Sequence, residues 1–456
     1  MNNLFKKFTN SCVKLVENYL PDPFLFCIIL TFIVFIAGVG LTHQGPMNMI
    51  VHWYGGFWSL LAFAMQMALV LVLGHTLASA KPFKKILTKL ASIPKTPFQA
   101  IVMVSAISAL ACLINWGFGL VIGAIFAKEL AKQVKGVDYR LLIAAAYSGF
   151  LFWHAGLSGS IPLTLATGGE GVFNATGGVI SPDGIPTSQT IFSLVNIIIV
   201  IVLFITVPLI NGAMHPSKEN VVTIDPKLLN DDEYDVEVKD RALMSPAEKL
   251  ENSTIVTLLV SLMGFAYIVH YFMTFGFSLN LDIVNFIFLF LGILLHKTPK
   301  HYLNALSIAA KGAGPILLQF PFYAGIMGMM TGANTDGISL ASIMSDVFVN
   351  IANATTFPMF SFLSAGLVNF FVPSGGGQWA VQAPIMMPAG QALGVNPAAT
   401  AMSIAWGDAW TNMIQPFWAL PALGIAGLGA KDIMGYCLVV LLYSGIIISL
   451  GFLLFA

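Results

Sequence analysis

In the stretch VPSGGGQWAVQAP, residues 372–384, one serine and three consecutive glycines interrupt an otherwise apolar run. Proline has no amide donor and glycine disfavours a helix by about 1 kcal/mol relative to alanine, so Pro373 through Gly377 cannot continue one. The flanking runs, 357–371 and 379–394, are apolar enough to enter lipid. Irregular backbone survives there only when buried in protein or facing a watery cavity. The predicted shape is two short helices meeting at a polar tip. The second aims its N-terminal amides and positive dipole end at a ligand, which makes Ser374, Gly375, Gly376 and Gly377 candidate binding residues. Gln378 and Gln382 follow on one helix face and extend the candidate site, or else lock neighbouring helices together.

Three further places carry polar groups at membrane depth. The segment LINWGFG, 113–119, offers the Asn115 amide, the Trp116 ring, and Gly117, where backbone can approach a ligand. In YSGFLFWHAGLSGSIPL, 147–163, His154, Ser158 and the small residues around them interrupt a helix. An ionisable residue inside a membrane is a functional candidate by default, although a histidine beside Trp153 also suits a hydrogen-bonded core. In AWGDAWTNMIQPFWALP, 405–421, Asp408 is followed one turn later by Asn412, and Gln415-Pro416 breaks the helix. A buried carboxylate is costly when charged and unpaired. Asp408 therefore requires a cation, a proton or an aqueous vestibule, unless it merely caps its helix at the outer interface. No lysine or arginine falls in 98–127, 141–166 or 357–426. A bound anion there depends on helix N-termini, hydroxyls and amides, which suits a small monocarboxylate better than a phosphate or dicarboxylate that recruits arginine.

The elements that must position these residues are membrane helices. Of 456 residues, 57% are hydrophobic and 9% charged, with mean hydropathy +0.84, whereas soluble domains carry about 25% charged residues. Zero net charge argues against nucleic-acid binding. The scattered Cys12, Cys27, Cys112 and Cys437 form no disulfide or metal pattern. The chain lacks GxxxxGK[ST], so it does not draw on ATP itself. GLSGS at 156–160 lacks the strand–turn–helix context of a hydrolase elbow, so no enzyme is expected, and no cofactor beyond a coupling cation. The N-terminal stretch reads as an amphipathic interfacial helix rather than a cleaved leader. With the N-terminus in the cytoplasm, all 21 lysines and arginines fall on one face. Loops 43–56, 167–188, 276–280 and 332–356 contain none, and the C-terminus lies outside.

The halves 24–210 and 281–455 repeat one order of elements: two spans, a short apolar helix or loop, a hairpin, a broken span and a final span. At an offset of 259, Thr96, Phe98, Ser105, Ala106, Gly117, Ala146 and Pro162 meet identical residues. The expected fold is an all-α polytopic membrane protein built as an inverted repeat, each half with a re-entrant helical hairpin and a broken transmembrane helix. The first repeat covers 1–212, with its hairpin near 98–135. A cytoplasmic linker follows at 213–252 and an extra connecting span at 253–280. The inverted second repeat covers 281–456, with its hairpin near 357–394. Segment length and the broken tips favour re-entry, while the charge pattern also allows hairpins that cross twice.

NWGFGLVIGAIFAKEL (115–130), FWHAGLSGSIPLTLAT (152–167), VPSGGGQWAVQAP (372–384) and WGDAWTNMIQPFWALP (406–421) resemble the bacterial short-chain fatty acid transporter family, and the likeness covers essentially the whole chain. The resemblance implies import of short-chain fatty acids such as butyrate or acetoacetate across the bacterial inner membrane, as symport with a cation. It also implies a homodimer in which a mobile unit, 98–166 with 357–426, moves against a scaffold in an elevator arrangement. The wider superfamily of two-hairpin carriers often binds Na⁺ at the hairpin tips, which puts Asn115 and Ser374 at ion positions. This chain has Asn-Trp-Gly and Ser-Gly-Gly-Gly there instead of a full Asn-Ser-Asn pattern. Coupling through Na⁺ at the tips and through H⁺ at Asp408 or His154 are both open. The competing readings are a carrier of another organic anion or amino acid, an intramembrane enzyme, and a channel.

Overall fold

The computed structural model describes residues 3–19, 21–59, 61–225, 240, 243–276 and 281–456, and every regular element among them is helical. The linker expected at 213–252 and the end of the connecting span, 277–280, lie partly or wholly outside the described residues. An amphipathic helix, α1 (Asn3–Tyr19), comes first. The first repeat then runs through α2 (Pro23–Leu41), α3 (Pro46–Phe57), α4 (Leu61–Ser79) and α5 (Lys81–Ala91). Its hairpin is α6 (Pro97–Ile114) with α7 (Trp116–Gln133), and its broken span is α8 (Tyr139–Tyr147) with α9 (Ser160–Thr167). The short α10 (Glu170–Ala175) and the long α11 (Leu194–Ala213) end it.

After α12 (Pro246–Glu251) and the apolar α13 (Thr254–Phe275), the order returns. It continues with α14 (Leu281–His296), α15 (Pro299–Ala310), α16 (Gly314–Thr331) and α17 (Leu340–Ile351). The second hairpin is α18 (Phe357–Asn369) with α19 (Gly375–Ala392). The second broken span is α20 (Pro397–Thr411) with α21 (Pro416–Ala426), and α22 (Ala430–Phe455) closes the chain. Local chemistry starts these helices. Asp22, Thr96, Asp138 and Asn396 accept from first-turn amides, and Pro23, Pro97 and Pro397 stand in the first turn, where a missing amide is no loss.

The repeat is in register. Both ends of α7 precede the ends of α19 by 259 residues (116 to 375, 133 to 392), and α5 begins 259 before α17. The caps agree: Asn115 Oδ1 accepts from Phe118 N at 2.9 Å, and Ser374 Oγ, 259 residues on, accepts from Gly377 N at 3.3 Å.

Packing sorts the helices into an outer and an inner group. In the outer group α16 packs on α2 and α3, α4 on α14 and α15, and α13 on α14. In the inner group α6 packs on α7, α8 and α11, α18 on α20 and α22, and α7 on α21. Within 139–167 the apolar window is 94% buried, against 22% for Phe24–Leu41 and 28% for Thr254–Phe275, so the latter two meet the surroundings with their apolar sides. Among the described residues, seven helices are long and apolar enough to cross a membrane, or eight if α4 and α5, bent by 82°, form one broken span. The chain is a multi-pass membrane protein whose hairpins and breaks meet in its buried interior.

Candidate functional site

Each hairpin turns back inside the protein, beside a helix break. Asn115, 1% exposed, ends α6 in extended backbone and caps α7. The last carbonyls of a helix have no partner within it. The Leu113 carbonyl accepts from Leu157 N at 2.7 Å, in the break between α8 and α9. In the second hairpin the Phe370 carbonyl accepts from Gln415 Nε2 at 2.7 Å, in the break between α20 and α21. Each break thus satisfies its own half's hairpin. Gln415 also caps α21 by accepting from Phe417 N. Gln415→Ala removes both bonds and is expected to lower stability by about 1–3 kcal/mol, read as a lower thermal midpoint in detergent.

The tips also cross to the opposite half. The Trp116 ring stands edge-on to Trp418 at 5.3 Å and to Trp153 at 5.9 Å, while Ser158 Oγ accepts from Trp116 N at 3.0 Å. Gly375, the counterpart of Trp116, lies tight against His154 and Ser160. A methyl group added there would sit 2.7 Å from His154 Nε2 and collide with Ser160 Oγ. Exchanging the halves carries the 116–418 contact onto 375–159, one residue from Ser160, so each tip meets the opposite half's break at nearly the same place. Tyr147 O–H donates to the Asn412 carbonyl at 2.5 Å and joins the two breaks.

His154 and Asp408 are both wholly buried, and His154 Nδ1 lies 3.9 Å from Asp408 Oδ1, too far for a hydrogen bond. The ring is held by the Ala405 carbonyl at 2.8 Å from Nδ1, by Ser160 Oγ at 2.9 Å from Nε2, and by Trp153 stacked at 3.6 Å. A carbonyl only accepts, so Nδ1 carries a hydrogen; in the neutral ring Nε2 is then the acceptor for Ser160 O–H, and both nitrogens are used.

Asp408 has a sparser environment. Its Oδ1 accepts from Asn412 Nδ2 at 3.2 Å, and its Oδ2 is buried with no hydrogen-bond partner. Asn369 was not among the residues singled out by sequence. It donates to the Asp408 carbonyl at 2.8 Å, to Thr411 Oγ1 at 3.0 Å and to Asn412 Oδ1 at 2.7 Å. By occupying the oxygen of Asn412 it turns the amide nitrogen toward Asp408. The available signal is one asparagine in the apolar run 357–371, because a polar group placed there needs partners.

Gln378 and Gln382, both wholly buried, turn away from the open side of the tip. Gln378 Nε2 donates to the Ala365 carbonyl at 2.7 Å and to Gln382 Oε1 at 2.9 Å, and Gln382 Nε2 donates to Ser364 Oγ at 3.2 Å. They bind α19 to α18. The structure gathers Asn115, Trp116, Gly117, His154, Ser158, Ser374, Gly375, Asp408 and Asn412 around the two breaks, and leaves Gly376 exposed. Among the described residues no three His, Cys, Asp or Glu side chains gather as a metal site. Asp408 Oδ2 is a buried oxygen able to take a proton or ligate a cation.

A family model described as short chain fatty acid transporter matches residues 4–455. An Escherichia coli K12 protein named for short-chain fatty acid transport is 48% identical over 442 residues, covering 97% of this chain and 98% of the relative. A Haemophilus influenzae Rd protein of the same name is 45% identical over 438 residues, 96% of each chain. Among solved structures, the Alcanivorax borkumensis YdaH transporter aligns with 95% of this chain and 97% of its own, at 17% identity and a TM-score of 0.41.

Proposed function

The chain belongs to the short-chain fatty acid transporter family, and from that membership we propose that it imports short-chain fatty acids such as butyrate and acetoacetate by symport with H⁺ or Na⁺. The observation that most supports this reading is the crossing of the two hairpin tips onto the opposite half's break. The site there has helix N-termini, hydroxyls and amides but no lysine or arginine. A monocarboxylate meets partial charges rather than a fixed cation, and so can be held and released in turn. Within the inner group, α6–α9 with α18–α21 form the mobile unit of an elevator. The outer helices form the scaffold and the homodimer seat, in the bacterial inner membrane with the N-terminus in the cytoplasm and the C-terminus outside.

Ser160, His154 and Asp408 are residue types a hydrolase would also use, and one distance, 2.9 Å from Ser160 Oγ to His154 Nε2, fits such a reading. The remaining geometry does not. His154 Nδ1 gives its hydrogen to the Ala405 carbonyl rather than to Asp408, and Gly375 packs onto the Ser160–His154 pair where an acyl carbonyl would have to sit.

The test is uptake of labelled butyrate and acetoacetate into proteoliposomes under separately imposed H⁺ and Na⁺ gradients, set against protein-free vesicles because protonated short acids leak through bilayers. Protein-dependent, saturable uptake driven by one of the two gradients is expected. Drive by Na⁺ alone would assign Asn115 and Ser374 to the cation, and drive by H⁺ alone would assign Asp408. Absence of protein-dependent uptake under either gradient would refute the substrate assignment.

A further inference from the structure

The two halves share a fold but not a shape, and the difference lies beside the tips. Between α19 on one side and α16, α17 and the 332–339 loop on the other lies a crevice of about 500 Å³. Met327, Val381, Pro384 and Ile385 are among its apolar lining, and Ser339 and Ser342 at the start of α17 among its polar lining. It runs inward to Gly377, where a methyl group would stand 3.0 Å from Met327 Sδ. At its inner end the flexible Met327 thioether covers Gly377.

The equivalent place in the first repeat lies between α7 and α4, and there the helices pack together. A methyl group on Gly74 of α4 would collide with Val121 of α7. Phe118 packs near Phe288 at 6.0 Å, in the position where the second repeat has Gly377. Val121 is 0% exposed, whereas its counterpart Ala380 is exposed. What opens on the far side is a cleft of about 40 Å³ that begins at Ile125, the counterpart of Pro384, and so stops short of the tip.

We infer that the crevice beside α19 is the access vestibule of the carried monocarboxylate, and that this structure is the state open toward the 332–339 loop. This rests on the carrier reading and extends it. A short acyl chain lies against Met327, Val381 and Pro384 while its carboxylate points to the Gly375–Gly377 tip. The opposite state closes α19 onto α16 and parts α7 from α4, with Val121 and Phe118 as the residues that separate. An inverted repeat supplies both states by letting the halves exchange conformations. By the distribution of basic residues, the open side is the extracytoplasmic one.

Single cysteines test this in the full-length protein in proteoliposomes, since the four native cysteines are buried. With a membrane-impermeant maleimide on the extracytoplasmic side and no substrate, Ala380→Cys is expected to label to completion and Val121→Cys to stay unlabelled. Butyrate should slow labelling of Ala380→Cys. Reagent on the lysine-rich side should reach Val121→Cys once turnover begins. As a second measurement, Ala380→Trp fills the crevice and should abolish uptake with an unchanged thermal midpoint. An unlabelled Ala380→Cys, or equal labelling of both cysteines from one side, would overturn the vestibule. Labelling as expected without carried butyrate sustains the vestibule and refutes the substrate. Carried butyrate with Ala380→Cys inert does the reverse.

Discussion

Gly375→Ala is expected to reduce uptake by about tenfold or more and to lower the thermal midpoint, because overpacking of this kind costs about 1–3 kcal/mol. The added methyl group meets Ser160 Oγ and His154 Nε2 together. Ser160 can rotate away, but it then gives up its bond to the imidazole. The ring itself cannot retreat, since Trp153 is stacked on one face and the Ala405 carbonyl holds Nδ1. The neighbouring position behaves differently. A methyl group on Gly376 meets nothing within 4 Å, so Gly376→Val should leave the midpoint unchanged and impair uptake by crowding the exposed side of the tip. Comparing the midpoints of the two variants separates a folding effect from a site effect. Wild-type uptake and midpoint in Gly375→Ala would mean that the second tip does not depend on its seat between His154 and Ser160.

That seat marks the limit of what the residues reveal before folding. The tips, the breaks and the 259-residue register could be read, because helix breakers in apolar runs admit few structures in a membrane and because Asn115 and Ser374 are both good N-caps. The order of elements around them was legible for the same reason. Contacts between the halves were not. Nothing local to Gly375 says that it needs to be glycine for the sake of His154, 221 positions earlier in the chain. Gln378 and Gln382 show the same limit from another side. Their spacing puts them on one helix face, but only packing decides whether that face meets a ligand or α18, and it meets α18. Asn369 sat in a run that reads as plain membrane helix. Its importance appears once α18 lies against α20 and its amide reaches three acceptors around Asp408 and Asn412. Local rules are carried by neighbours in sequence, whereas a polar network depends on the topology that assembles it.

Asp408→Asn is expected to abolish accumulation against a gradient while preserving binding and substrate exchange. The carboxylate is wholly buried, takes one hydrogen bond from Asn412, and faces a neutral imidazole 3.9 Å away. Without a countercharge an ionised group in that place is strongly disfavoured, so Asp408 enters this state carrying a proton or touching a cation. An asparagine has nearly the same shape and can keep its oxygen toward Asn412 Nδ2, so the breaks and tips stay in place. It cannot release a proton or neutralise a cation, and the coupling step is lost with the charge. One monovalent cation moved with one monocarboxylate carries no net charge, so a tenfold cation gradient, about 1.4 kcal/mol, supports about tenfold accumulation in the wild type. Asp408→Asn should hold that ratio near unity while exchanging internal for external labelled butyrate. Asn369→Ala, which frees Asn412 to turn away, should give an intermediate accumulation. Concentrative uptake at the wild-type ratio in Asp408→Asn would remove this carboxylate from coupling and leave Asn115 and Ser374, the two matched caps, as the groups that hold the ion.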